Sequence, residues 1–331
     1  MVITENTKIK DVLKSSNARD AKRFLMYSKS RIISEMVMAT TVKKMHAMAQ
    51  GIHPESGVRA LELLEKASKE QEKFVYQIYS EDEMKKDPEK RDVVIMSFPV
   101  KEKSPFIVLC AGGAYESICT FGEALPVARV FNDLGYSVFT LNYRVKKKGL
   151  LPKPIEDLAR AVSFIQENSE RWNIDPNRYG IGGFSAGGHL VCEFCTDTHG
   201  YKTYGLTKPE VIFPIYPGLI ETMPENKSVN RYCITLFGEH YAEQDKQRYD
   251  VIHHVSAFPP AYIVVCKDDD TVPYTSSVSL ADALKEENIP CVLDMGNKGG
   301  HGFGEGRGTD VEGWAERAIV FWKDLGKGIY K

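Results

Sequence analysis

A chain of 331 residues has room for one large α/β domain and a small accessory segment. Hydrophobic residues make up 43% of it, enough to fill a core and to exclude wholesale disorder, and a formal net charge of −2 argues against nucleic acid or an anionic membrane as main partner. No apolar run approaches membrane-spanning length, and the N-terminal Met1-Val-Ile-Thr-Glu-Asn-Thr-Lys lacks the basic and apolar regions of a signal peptide. Seven cysteines are scattered among apolar neighbours, which predicts reduced, buried thiols in a cytoplasmic protein. The Cys192-Glu-Phe-Cys195 spacing has no second pair beside it and reads as core packing.

Residues 1–90 are rich in Lys, Glu, Met and Ala and hold little that reads as strand. Asn17 to Gln50 predicts one long or two shorter helices stopped by Gly51, and Pro54 to Phe74 a further helix with Val58, Leu61 and Leu64 at helical spacing. Met26, Met36, Met38, Met45 and Met48 lie in the first of these stretches, where ordinary packing against the main domain or a twin subunit is the favoured reading over a binding surface or lid. Ser80 to Lys90 is charged and is expected as a surface turn.

From residue 91 the pattern alternates. Strands are expected at Asp92–Phe98, Phe106–Cys110, Tyr136–Tyr143, Tyr179–Gly182, Val211–Tyr216, Ala261–Cys266 and Cys291–Asp294. Helices are expected at Gly122–Leu134, Ile155–Trp172, after residue 185, and at Gly313–Leu325. This alternation implies a mostly parallel sheet with helices on both faces, in which ligands sit beyond the carboxyl ends of the strands.

The stretch that gives the chain its chemistry is Gly183-Phe184-Ser185-Ala186-Gly187, a G-x-S-x-G pentapeptide between a strand and a helix. A serine on such a turn has a strained backbone and an outward hydroxyl, and the flanking glycines relieve the crowding. The competing dinucleotide-binding reading of Gly180-Ile-Gly182 lacks its third glycine, because position 185 is serine. A serine hydroxyl needs a base, and the base needs an orienting acid. Asp268, Asp269 and Asp270 follow one later strand, and His301, in Gly299-Gly-His-Gly-Phe-Gly304, follows the next. The aspartate run also fits the D-x-D-x-[TV] signature of haloacid-dehalogenase phosphatases, but only about sixty residues remain after it, too few for that fold. The oxyanion donors are expected at the Ala186 N–H and the Gly112-Gly113 turn.

Taken together, Cys110-Ala-Gly-Gly-Ala-Tyr115, Leu141-Asn-Tyr-Arg144, Ile174-Asp-Pro-Asn-Arg178, Gly183-Phe-Ser-Ala-Gly-Gly-His189, Asp269-Asp-Thr-Val-Pro273 and Gly299-Gly-His-Gly-Phe303 resemble the α/β-hydrolase esterases. The likeness is greatest to bacterial acetyl- and carbohydrate-ester hydrolases and hormone-sensitive-lipase-like carboxylesterases, and it spans roughly residues 92–331. It implies an α/β-hydrolase fold over residues 91–331, with residues 1–90 as a helical accessory, lid or dimerisation segment. It selects Asp269 through the D-x-x-V-P pattern, and it implies Ser185 as nucleophile, His301 as base, and Gly112, Gly113 and Ala186 as oxyanion donors. Relatives often carry His-Gly-Gly-Gly where this chain has Cys110-Ala111-Gly112-Gly113, so the histidine that braces the loop in some of them is absent.

The expected activity is hydrolysis of small acyl esters, foremost acetyl and including those of carbohydrates, through an acyl-enzyme that needs neither metal nor organic cofactor. The expected partner is a small-molecule ester, not nucleic acid or membrane, and the N-terminal helices leave room for a homo-oligomer. Two alternatives stand beside it. A prolyl-oligopeptidase-like peptidase shares the fold and triad, and a non-catalytic binding protein could use the same scaffold. The segment from Gly238 to Asp250 and the N-terminal helices are expected to shape the pocket.

Overall fold

The computed structural model describes residues 2–14, 16–28, 35, 39–48, 53–145 and 148–329. Its centre is a mixed sheet of strands β1 (Val75–Gln77), β2 (Val94–Phe98), β3 (Ser104–Cys110), β4 (Ser137–Asn142), β5 (Ile174–Phe184), β6 (Val211–Ile215), β7 (Ala261–Cys266) and β8 (Cys291–Gly296). Their spatial order is β8-β7-β6-β5-β3-β4-β2-β1. Every pair from β8 to β4 is parallel; β2 joins β4, and β1 joins β2, antiparallel. The central strands are buried along their length, the pattern of a sheet covered on both faces.

The main helices are α1 (Pro54–Glu70), α2 (Ala124–Asp133), α3 (Lys153–Glu167), α4 (Ala186–Glu193), α5 (Lys227–Phe237), α6 (Thr275–Glu286) and α7 (Trp314–Gly326). Helix α2 packs on both α1 and α7, and α3 packs on α4. This is the α/β-hydrolase fold that the motifs imply. The turn between β3 and β4 and the loops after β5, β7 and β8 open at the same end of the sheet, because these strands run parallel.

The largest departures from expectation precede residue 91. Helix is broken after Ser16–Lys22: Phe24 and Leu25 are buried, and Tyr27–Ser28 is extended and paired antiparallel with Ser117–Ile118. Helix resumes at Val42–Met48, while Gly51, Met36 and Met38 lie outside the described residues. Phe121 N–H donates to the Leu25 carbonyl, and Tyr27 and Arg23 both engage Asp92, so tertiary contacts override the local helical pattern. The segment also supplies a strand, β1. Its three residues are too few to register as a pattern. Ser80–Lys90 is no bare turn. It forms a helix, Glu81–Lys86, opened by a capping box between Ser80 and Glu83, followed by a 3-10 turn at Pro88–Asp92. Met45 is buried, in accord with packing against the main domain.

Candidate active site

Ser185 stands between β5 and α4 with φ 53° and ψ −118°, a backbone conformation that non-glycine residues rarely adopt. The turn is tight enough to demand glycine on each side. A Cβ at Gly183 would lie 2.0 Å from the Gly187 carbonyl oxygen, and one at Gly187 2.1 Å from that of Cys110. The Ser185 carbonyl accepts the His189 N–H at 2.9 Å and so opens α4. The hydroxyl is left facing away from the helix.

Beyond β7 the three aspartates divide their tasks. Asp268 accepts the N–H groups of Gly299 (2.9 Å) and Gly300 (2.8 Å), which hold its carboxyl below the usual range and fix the entry of the histidine loop. Asp270 accepts the Thr271 hydroxyl at 3.2 Å. Asp269 is fully buried. Its Oδ1 accepts the N–H groups of Thr271 (2.9 Å) and Val272 (2.8 Å), and its Oδ2 lies 2.7 Å from His301 Nδ1. His301 Nε2 in turn lies 2.9 Å from Ser185 Oγ. Three side chains from the ends of β5, β7 and β8 thus form one hydrogen-bonded chain. The Tyr216 ring, just past β6, packs 4.7 Å from the imidazole and 4.6 Å from Phe303.

The loop after β3 departs from expectation at Gly112. Its N–H donates to the buried Glu123 carboxylate at 2.5 Å and is already committed. Among the described residues, no acceptor is bonded to the N–H of Gly113 or Ala186. Gly113 has φ 133°, and its carbonyl accepts the N–H groups of Glu116 and Ser117; Ala114 and Tyr115 follow in the left-handed region. This strained turn is braced without the histidine that relatives place at its start. Tyr143 donates its hydroxyl to the Ala111 carbonyl at 2.7 Å, and the Tyr115 hydroxyl bonds His189 Nδ1 at 2.9 Å. His189 is buried beside Glu193, whose other oxygen meets His199. Burial opposes a charge on Glu193, but its bonds to the two histidines outweigh that and hold its carboxyl below the usual range.

Two hollows meet at Ser185. One, of about 300 Å³, is walled by Ala114, Ala186, Met223, Val229, Tyr232 and Val272. The other is a wider groove of about 780 Å³ bordered by Gly113, Glu116, Asp268, Asp270, His301 and, from the N-terminal segment, Met26. Residues of the Gly238–Asp250 segment line a different hollow that does not include Ser185, so α5 takes the place expected of that segment. The N-terminal contribution is Met26, in the turn just before the extended Tyr27–Ser28, not a helix.

Comparison with known proteins finds esterase relatives. A family profile described as BD-FAE matches residues 94–284, more than half of the chain. The chain is similar to an acetylxylan esterase of Xylanibacter ruminicola, 29% identical over 241 residues, covering 71% of this chain and 47% of that protein. It is also similar to endo-1,4-beta-xylanase B of Butyrivibrio fibrisolvens, 26% identical, covering 64% and 34%. The chain therefore spans less than half the length of these curated relatives. Among solved structures, the acetyl ester-xyloside bifunctional hydrolase from Caldicellulosiruptor lactoaceticus superposes with a TM-score of 0.65 at 26% identity, covering 76% of this chain and 96% of that one.

Proposed function

The chain belongs to the BD-FAE family of α/β-hydrolase esterases, and from that premise we propose that it is a serine esterase acting on short acyl esters, foremost acetyl esters of carbohydrates. The hydrogen-bonded chain Ser185–His301–Asp269 is the observation that carries this reading. In the reaction, Ser185 Oγ attacks the ester carbonyl carbon while His301 Nε2 takes the hydroxyl proton. Asp269 holds Nδ1–H and balances the imidazolium. The Gly113 and Ala186 N–H groups receive the oxyanion, and the orientation of α4, N-terminus toward Ser185, favours that charge. The Gly112 N–H, tied to Glu123, holds the turn in place of serving as a third donor. Collapse of the intermediate breaks the ester C–O bond, and His301 returns its proton to the leaving alcohol. Water deprotonated by His301 then releases the acid and restores Ser185.

The small apolar-walled hollow suits a short acyl group, and the wider groove, with Glu116, Asp268 and Asp270 on its rim, suits a hydroxylated alcohol. The names of the acetylxylan esterase and the acetyl ester-xyloside hydrolase support a carbohydrate ester for this chain as well. Residues 91–331 are read as the catalytic part and residues 1–90 as an accessory segment that also lends the sheet β1. A cytoplasmic location and a homo-oligomer through the N-terminal helices belong to the same proposal; a monomeric mass in solution rejects the latter. Among the described residues no helix is long and apolar enough to cross a membrane.

The deciding experiment is labelling of Ser185 by a fluorophosphonate together with p-nitrophenyl acetate turnover by Ser185→Ala. Near-total loss of turnover is expected. A variant that keeps the native rate rejects the mechanism, and a native protein that hydrolyses no activated ester revives the non-catalytic alternative.

A further inference from the structure

Glu123 stands just before α2, is buried, and has no part in the proton transfers above. One oxygen accepts the Gly112 N–H at 2.5 Å, and the other accepts the Tyr216 hydroxyl at 3.1 Å. Tyr216 itself accepts the Gly304 N–H at 3.3 Å and packs its tilted ring against His301. One carboxylate therefore ties the oxyanion turn after β3 to the residue after β6 and, through it, to the histidine loop after β8. Burying a carboxylate is costly unless it is hydrogen-bonded, and here burial pushes its pKa up while the Gly112 N–H, His301 and Tyr216 pull it back.

Resting on the esterase reading, we propose that Glu123 is a positioning residue. It locks Gly112 so that the Gly113 N–H faces the developing oxyanion, and through the Tyr216 hydroxyl it steadies the loop that carries His301. The ionisable groups facing it are the Cys119 thiol on its own loop, Tyr143 after β4, Tyr216 after β6 and His301 after β8. Burial pushes Cys119 up to about 12 and both tyrosines well above their usual value, so these three stay neutral.

The test compares Glu123→Ala, Glu123→Gln and Tyr216→Phe with the native protein on p-nitrophenyl acetate. Glu123→Ala frees the turn, so kcat falls about 100-fold with KM little changed. Glutamine keeps an acceptor for the Gly112 N–H and regains about tenfold of that loss. Tyr216→Phe, which cuts the link to the histidine loop while keeping the ring, loses about tenfold in kcat. If Glu123→Ala does not fold, the other two variants carry the test. Native kcat in the variants, a loss confined to KM, or a Glu123→Gln variant no faster than Glu123→Ala overturns the proposal. Ser185→Ala in the same assay keeps the two ideas apart: turnover surviving in it rejects the esterase reading itself, whereas a dead Ser185→Ala beside native Glu123 variants rejects only the role of Glu123.

Discussion

Asp269→Asn changes the shape of the site hardly at all and is expected to abolish nearly all turnover. The reason lies in the two N–H groups, of Thr271 and Val272, that Oδ1 accepts at 2.9 and 2.8 Å. In asparagine only the amide oxygen can meet them, which turns the NH2 group toward His301 Nδ1. The opposite placement would set NH2 against two N–H groups at about 1–3 kcal/mol for each unmet donor, so it stays scarcely populated. Facing a donor, Nδ1 becomes an acceptor and the imidazole proton moves to Nε2, 2.9 Å from Ser185 Oγ. Nε2–H cannot take the hydroxyl proton. A Ser-His-Asp triad held in that tautomer loses about 10,000-fold in kcat, or about 5.4 kcal/mol of barrier. Initial rates on p-nitrophenyl acetate, normalised by burst titration and set against Ser185→Ala as the floor, measure it. An asparagine variant that retains more than about 1% of native kcat refutes the argument, because it would mean that Oδ1 and its two donors do not dictate the tautomer.

Three other consequences are open to measurement. Ser185→Gly and Ser185→Ala both lose the hydroxyl, but only glycine relieves a backbone strain of about 1–3 kcal/mol. After subtracting roughly 1 kcal/mol for glycine's freedom in the unfolded chain, the glycine variant should be the more stable by about 1 kcal/mol in denaturant titrations, and equal midpoints would count against the strain. Asp157, fully buried, meets Arg144 through bonds of 2.8 to 3.0 Å and accepts the Tyr79 hydroxyl at 2.7 Å; Asp157→Ala leaves Arg144 its partners Asp87 and Glu156 but strands the Arg144 backbone N–H and the Tyr79 hydroxyl, and should cost about 1–3 kcal/mol of unfolding free energy, an unchanged stability being the contrary result. Because burial raises the carboxyl of Glu123 above its unfolded value, the native state binds its proton more tightly, so the native protein loses stability as pH rises through the folded value. Glu123→Gln escapes that penalty: its melting temperature should exceed the native one at pH 8 and the gap should close as pH falls toward 4, whereas a gap that does not depend on pH would show that ionised Glu123 costs the fold nothing.

What the sequence made legible, and what it hid, follows from the range of the interactions involved. The residues of the hydrogen-bonded chain could be found because each sits directly after an apolar strand among glycines or in a D-x-x-V-P run, signals that need only a few neighbours. The strands from Asp92 onward were equally plain, since a strand buried on both faces is a continuous apolar run. Choosing among Asp268, Asp269 and Asp270 already needed a family pattern, because the difference lies in which donors each one meets: Asp268 the N–H groups of Gly299 and Gly300, Asp269 the imidazole. The capping box at Ser80 and Glu83 is present in the sequence as S-x-x-E, but the charge run around it reads as a solvated turn. Phe24 to Ser28 reads as helix locally, yet Phe24 to Met26 form a turn and Tyr27–Ser28 is extended because Ser117–Ile118 offers it an edge some ninety residues away. Glu123 left no local trace at all. A glutamate at the start of a helix is ordinary, and its burial arises from three strand ends converging on it: Gly112 eleven residues before it, Tyr216 ninety-three after it, and His301 beyond. Tyr115 and His189 are hidden in the same way, bonded across seventy-four residues. The parts of this site that react were encoded in short motifs, and the parts that hold the reacting groups in place were encoded in the topology that brings distant polar residues together out of water.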